Sequence, residues 1–131
     1  MKYKQVKGID IPEEVIGLTL PNGMMKVWLA NRKKDMVAIL AYDGKELVGW
    51  ATFFTRASYI DLIAEVGVFV SETCRKKGLG TKLVKRLLVA LSEYSDERPI
   101  QVRYGSLSEY FNQVYEREIA EAGFIPIRWF C

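Results

Sequence analysis

The chain has 131 residues, 50% of them hydrophobic and 27% charged, with a formal net charge of +3; this suits one soluble domain spanning residues 1–131, and no apolar run approaches the roughly 20 residues of a bilayer-crossing helix. Histidine is absent, which excludes Ser-His-Asp and Cys-His nucleophilic machinery, histidine-ligated metals and an imidazole acid or base. Cys74 and Cys131 are too few for a disulfide framework or a cysteine-only zinc site, and Met1-Lys2-Tyr3-Lys4-Gln5 lacks a secretion core, so the expectation is a cytoplasmic protein with free thiols and no metal.

In chain order, residues 2–7 alternate weakly and suit an edge strand. Asp10-Ile11-Pro12-Glu13-Glu14 resembles a helix start with Asp10 as its cap, and residues 24–29 suit a short strand or a helical turn. Residues 36–42 and 46–55 read as two strands joined through Asp43-Gly44, a turn pair that tolerates positive φ. The apolar, β-branched run Ala64-Glu65-Val66-Gly67-Val68-Phe69-Val70 marks a buried strand over residues 62–71. Leu79, Leu83, Leu87 and Leu91 share one face of a helix over about 79–94. A strand at 100–104 and a helix at about 108–122 follow, with Gly123 as the helix end. A terminal strand at 124–130 is interrupted by Pro126. This order implies an α/β domain, a mixed sheet with helices packed against it.

Between the strand at 62–71 and the helix lies Arg75-Lys76-Lys77-Gly78-Leu79-Gly80-Thr81. A strand, a basic glycine loop and a helix N-terminus in succession form an anion cradle, because the first-turn amides are free and the helix dipole favours negative charge there. Gly78 and Gly80 are expected to leave room for a phosphate to approach the main chain. The dinucleotide fingerprint fails, since Leu83 stands at its third glycine, and the nucleotide-triphosphate loop fails, since Thr81-Lys82 follows Gly80. The modest net charge does not point to nucleic acid as the partner, whereas the triplet before the glycines suits a polyanionic cofactor.

Arg75, Gly78 and Gly80 resemble the Arg/Gln-x-x-Gly-x-Gly/Ala signature of the GCN5-related N-acetyltransferase (GNAT) family. The hairpin around Asp43-Gly44-Lys45-Glu46-Leu47-Val48-Gly49 is also similar to that family's, and the resemblance covers roughly residues 36–131. It implies the acyl-CoA N-acyltransferase fold, with acetyl-coenzyme A as co-substrate and direct acetyl transfer to an amine on a small molecule or a protein. A coenzyme A-binding or protein-interaction module without catalysis is the alternative, and either a monomer or a homodimer is compatible. By the resemblance, backbone at Val68, Phe69 and Val70 binds pantetheine, and Arg75, Lys76, Lys77, Gly78, Leu79, Gly80 and Thr81 bind pyrophosphate. Asn112 matches a family position that hydrogen-bonds the cofactor, given its spacing to Gly123-Phe124. The family tyrosine that protonates the coenzyme A thiolate is replaced by Ile119. Tyr115, one turn earlier, is the substitute acid, although it also belongs to an apolar stripe with Phe111, Ile119 and Ala122.

An amine acceptor must lose a proton, and Glu65, with Asp61 second, is the candidate base. Glu65 interrupts an apolar strand, where an unpaired charge is costly; a solvent-facing carboxylate or a lysine partner would also account for it. Trp50, Phe53, Phe54 and Tyr59 are candidates for an acceptor pocket or for core.

Overall fold

Among the described residues the apolar runs become six strands, β1 (Lys2–Lys7), β2 (Met36–Asp43), β3 (Glu46–Ala57), β4 (Leu62–Val70), β5 (Ile100–Tyr104) and β6 (Ile125–Arg128). Two helices, α1 (Leu79–Ser92) and α2 (Glu109–Glu121), follow β4 and β5. The computed structural model describes residues 1–12, 36–57, 62–75, 77–94, 99–106 and 108–128. Gly8–Asp10 form a short 3-10 turn. The helix expected beyond Asp10, the segment at 24–29 and the end of the terminal strand lie outside the described residues.

The strands lie in the sheet in the order in which they occur in the chain. The first four pair antiparallel, as hairpin turns allow, and β4–β5 and β5–β6 pair parallel, each crossover being made by a helix. Asp43 pairs with Glu46 across the expected turn. Ala41 opposes Gly49 while Tyr42 opposes Leu47, so Val48 is an extra residue that bulges β3.

Both helices cover one face of the sheet. Ala51, Phe53, Ala64, Val66, Ile100 and Val102 meet Leu79, Leu83, Leu87, Leu91, Tyr115 and Ile119 there. The leucine stripe thus faces the core as its spacing requires. Val6, Met36, Ala38, Leu40 and Trp50 form a second cluster with Ile11 on the opposite face. Ser108 starts α2 by accepting the Phe111 amide on its hydroxyl at 3.3 Å, and Gly123 follows the helix with its amide on the Ala120 carbonyl at 3.0 Å.

β5 accompanies β4 only from Leu62 to Glu65, opposite Ile100 to Arg103. β4 continues to Val70, whereas β5 ends at Tyr104 and the chain leaves toward α2. The sheet therefore divides beyond the Glu65–Arg103 rung.

Candidate active site

Peptide groups along a strand point alternately to either side. Leu62 donates its amide to Pro99 on the β5 side at 3.1 Å, and Ser71 donates to Val48 of β3 at 2.8 Å. Alternation then turns the peptide groups of Val66, Val68 and Val70 toward the divide and that of Phe69 toward β3, where Phe69 pairs with Trp50. Of the three backbone positions expected to meet a cofactor, Val68 and Val70 face the opening. Phe69 instead presents a ring that stacks on Trp50, centroids 4.5 Å apart.

Beyond Val70 the chain makes a 3-10 turn at Glu72–Cys74. Arg75 is tied back, donating Nε to the Val70 carbonyl at 3.0 Å, and so covers one acceptor at the strand end. Lys76 lies outside the described residues, and Lys77 is exposed. Gly78 sits at the N-cap of α1 with φ +78°, a left-handed conformation that favours glycine, and nothing lies within 4 Å of where a Cβ would stand. No side chain caps α1. Its first helical bond runs from the Lys82 amide to the Gly78 carbonyl at 3.1 Å, so the amides of Leu79, Gly80 and Thr81 precede the ladder. The Leu79 side chain is buried in the core, which leaves only its main chain for a ligand.

Gly80 differs from the expectation. A Cβ there would stand 2.8 Å from Cε2 and 3.1 Å from Cζ of Phe111. The bare side of Gly80 admits the Phe111 ring from α2 and does not open onto the loop.

On α2, Asn112 is 7% exposed and donates Nδ2 to the Ser106 carbonyl at 3.0 Å. Its Oδ1 is buried with no hydrogen-bond partner. A buried acceptor left unmade costs about 1–3 kcal/mol, so this atom suits a ligand donor. Tyr115 is 2% exposed, and burial pushes its hydroxyl well above the ordinary tyrosine pKa, opposed by a hydrogen bond from the Val68 backbone. Its ring contacts Phe111 edge-on at 4.8 Å and Tyr104 at 5.4 Å. Ile119 is fully buried among the α1 leucines, a core position.

Glu65 stands on the sheet face away from both helices. It is buried rather than solvent-facing, and Arg103 Nη1 lies 3.5 Å from its Oε1. Sequence reasoning missed Arg103. The available signal was the polar alternation of Gln101 and Arg103 in Ile100-Gln101-Val102-Arg103-Tyr104, but its partner depends on parallel register. Trp50 and Phe53 are both buried and face opposite sides of the sheet, while Phe54 is half-buried. Asp61, Tyr59 and the cluster Arg32, Lys33 and Lys34 lie outside the described residues. Lys85 pairs with Glu118 at 3.7 Å and Arg86 covers the Tyr3 ring at 3.8 Å, so these two cations serve packing. Among the described residues, no group of three or more His, Cys, Asp or Glu could hold a metal ion, and no helix is long and apolar enough to cross a membrane.

The model of the acetyltransferase (GNAT) family matches residues 11–104. The match reaches further toward the N-terminus than the motifs do, and it stops before α2. Among solved structures, an aminoglycoside acetyltransferase from an uncultured soil metagenomic sample, in complex with sisomicin, aligns with a TM-score of 0.67 at 16% identity, covering 99% of this chain and 94% of its own. A ribosomal-protein-alanine N-acetyltransferase from Brucella melitensis biovar Abortus 2308 gives 0.64 at 17% identity, covering 89% and 90%. A predicted acetyltransferase with acetyl-CoA from Clostridium acetobutylicum gives 0.64 at 14% identity, covering 88% and 86%. No curated protein matches. The six-stranded mixed sheet with two helices is the acyl-CoA N-acyltransferase fold.

Proposed function

Because this chain belongs to the acetyltransferase (GNAT) family, we propose that it moves an acetyl group from acetyl-coenzyme A directly to an amine acceptor, on a small molecule or a protein. The observation that carries this reading is the unaccompanied stretch of β4 beyond Glu65, bordered by the free amides of α1 and by the orphaned Asn112 Oδ1. These groups fit the cofactor's chemistry. The Val68 carbonyl and the Val70 amide, which face the divide, can pair with an extended amide chain as an added strand would, since Tyr115 takes the Val68 amide and Arg75 the Val70 carbonyl. The α1 amides, with Lys77 and the neighbouring Lys76 and Arg75, suit a pyrophosphate. Asn112 Oδ1 needs an N–H donor, which the pantetheine amides carry.

Bound acetyl-coenzyme A supplies a thioester: the amine nitrogen bonds to the acetyl carbon, the C–S bond breaks, the amine loses a proton and the coenzyme leaves as a thiol. Glu65 is the group to take the amine proton, directly or through water. The Tyr115 oxygen accepts the Val68 amide, which leaves its own proton to donate toward the departing sulfur. Holding amine and thioester together contributes the larger share of the acceleration, as positioning does in direct transfer.

The replacement of the family tyrosine by Ile119 supports a second reading, a module of the same fold that binds coenzyme A without transfer. Calorimetric titration with acetyl-coenzyme A and coenzyme A, followed by a thiol-release assay with an amine panel, separates the two. Micromolar binding with thiol release is the expected outcome. At a hundredfold excess over Kd, the ligand should stabilise the fold by about 2.7 kcal/mol. Binding without release selects the second reading, and no binding of either ligand sinks both.

A further inference from the structure

The loop at the start of α1 and the Tyr115 hydroxyl belong to different elements, and Phe111 touches both. The distal atoms of its ring fill the bare side of Gly80, where a Cβ would stand 2.8 Å from Cε2 and 3.1 Å from Cζ. The same Cβ would lie 3.8 Å from Val70 Cγ2, so the end of β4 closes a third side of this junction. Tyr115 follows Phe111 by one helical turn and shares its face of α2. The two rings meet edge-on, with centroids 4.8 Å apart and planes at 80°. Phe111 and Val70 are each partly buried against the main core.

Tyr115 also touches Tyr104 at 5.4 Å, whose hydroxyl is held by Glu116. That support stays within β5 and α2. Phe111 reaches further, to the helix whose first amides suit a pyrophosphate, and so sets the place of the Tyr115 ring against the cofactor's own anchor. A tyrosine hydroxyl sits at the far end of a rigid ring, where a small tilt becomes a large displacement. A misplacement of about 1 Å near the reacting atoms can cost about 10²-fold in rate. A smaller side chain at position 111 leaves space into which the Tyr115 ring can tilt. The α1 amides belong to the main chain and stay with their own helix, so the loss falls on the placement of the hydroxyl and not on cofactor binding.

We infer that Phe111 is a positioning residue for acetyl transfer: its ring, wedged between Gly80 and Tyr115, holds the Tyr115 hydroxyl where the coenzyme A sulfur departs. This rests on the acetyl-transfer reading with Tyr115 as its acid. The test is a double-mutant cycle on the full chain. Thiol release gives kcat, with whichever of spermidine, phenethylamine, leucine amide and an alanine-ended peptide is turned over fastest, and calorimetry gives Kd for acetyl-coenzyme A. Phe111→Leu should lower kcat about tenfold and change Kd by less than about twofold. In a Tyr115→Phe background the same substitution should cost less than about twofold in kcat, because the hydroxyl that it misplaces is gone. A ring that merely fills core would cost the same factor in both backgrounds. Gly80→Ala added to Phe111→Leu should recover part of kcat, since the methyl occupies space that the ring vacates. If Phe111→Leu does not fold, Phe111→Met, a longer side chain for the same gap, carries the cycle. Equal losses in both backgrounds, an unchanged kcat in Phe111→Leu, or a loss confined to Kd overturns the inference. So does an unchanged kcat in Tyr115→Phe, or cofactor binding with no thiol release from any of these amines. Failure to bind acetyl-coenzyme A at all would instead sink the transfer reading itself.

Discussion

The Tyr115 hydroxyl accepts a backbone amide at Val68 and keeps its proton far above neutral pH, because the phenolate would be buried. A side chain so held serves as a donor and not as a base. Tyr115→Phe should lower kcat by about 10²-fold, within the usual range for a lost acid, with little change in acetyl-coenzyme A affinity. It should also cost about 1 kcal/mol of stability, since the Val68 amide loses its partner. An unchanged kcat with a confirmed acceptor would assign the residue to the core alone. Glu65→Gln should reduce turnover by about 10²-fold, and the deficit should shrink as pH rises because more of the free amine is already deprotonated. A deficit that is the same at every pH would mean that Glu65 positions the site without accepting the proton.

The approach of α2 to α1 is set at Gly80. A valine there would drive its Cβ into the Phe111 ring, where 2.8 Å is available, so Gly80→Val should destabilise the protein by about 1–3 kcal/mol in chemical denaturation. Adding Phe111→Leu should recover part of that loss, and a Gly80→Val protein of wild-type stability would show that the helices part without cost. The loop's glycines were conspicuous in the sequence, yet they do different work. Gly78 supplies a left-handed turn in open space, and Gly80 supplies a close helix contact. Nothing in their spacing distinguishes the two, because the ring that fills the bare side of Gly80 arrives from a helix that begins 29 residues later. The elements themselves lay near their expected positions, since strand alternation, the leucine stripe and the turn at Asp43-Gly44 are local signals.

Across the molecule, the C-terminal strand is fastened to α2 by charge. Arg128 reaches Glu109 through two bonds at 3.0 and 3.1 Å and also holds Glu116, which accepts the Tyr104 hydroxyl as well. The hydrogen bond from Tyr104 and those from Arg128 hold the Glu116 carboxyl below its usual range, and burial followed by Glu116 itself pushes the Tyr104 hydroxyl up. Tyr104 and Tyr115 are both raised in the folded state, so their contribution is present below the ordinary tyrosine value of about 10 and lost as pH rises beyond it. Glu116 is lowered, so its contribution is present above the ordinary glutamate range and lost as pH falls below it. Urea unfolding should therefore show a plateau from about pH 6 to 9 and a decline above about pH 10 that is smaller in Tyr115→Phe. A flat profile through pH 11 would contradict this. The succession of strands and helices, the basic loop at a helix start and the leucine face of α1 were legible in the chain, because each follows from periodicity and turn chemistry within a few residues. That β5 leaves β4 after Glu65, that Phe69 turns its peptide to β3, that Asn112 keeps an unmet acceptor and that Arg103 meets a carboxylate 38 residues away emerged from the folded arrangement alone. Those depend on where parallel pairing stops and which chain segment arrives beside it, and no local pattern encodes a register between strands separated by a helix.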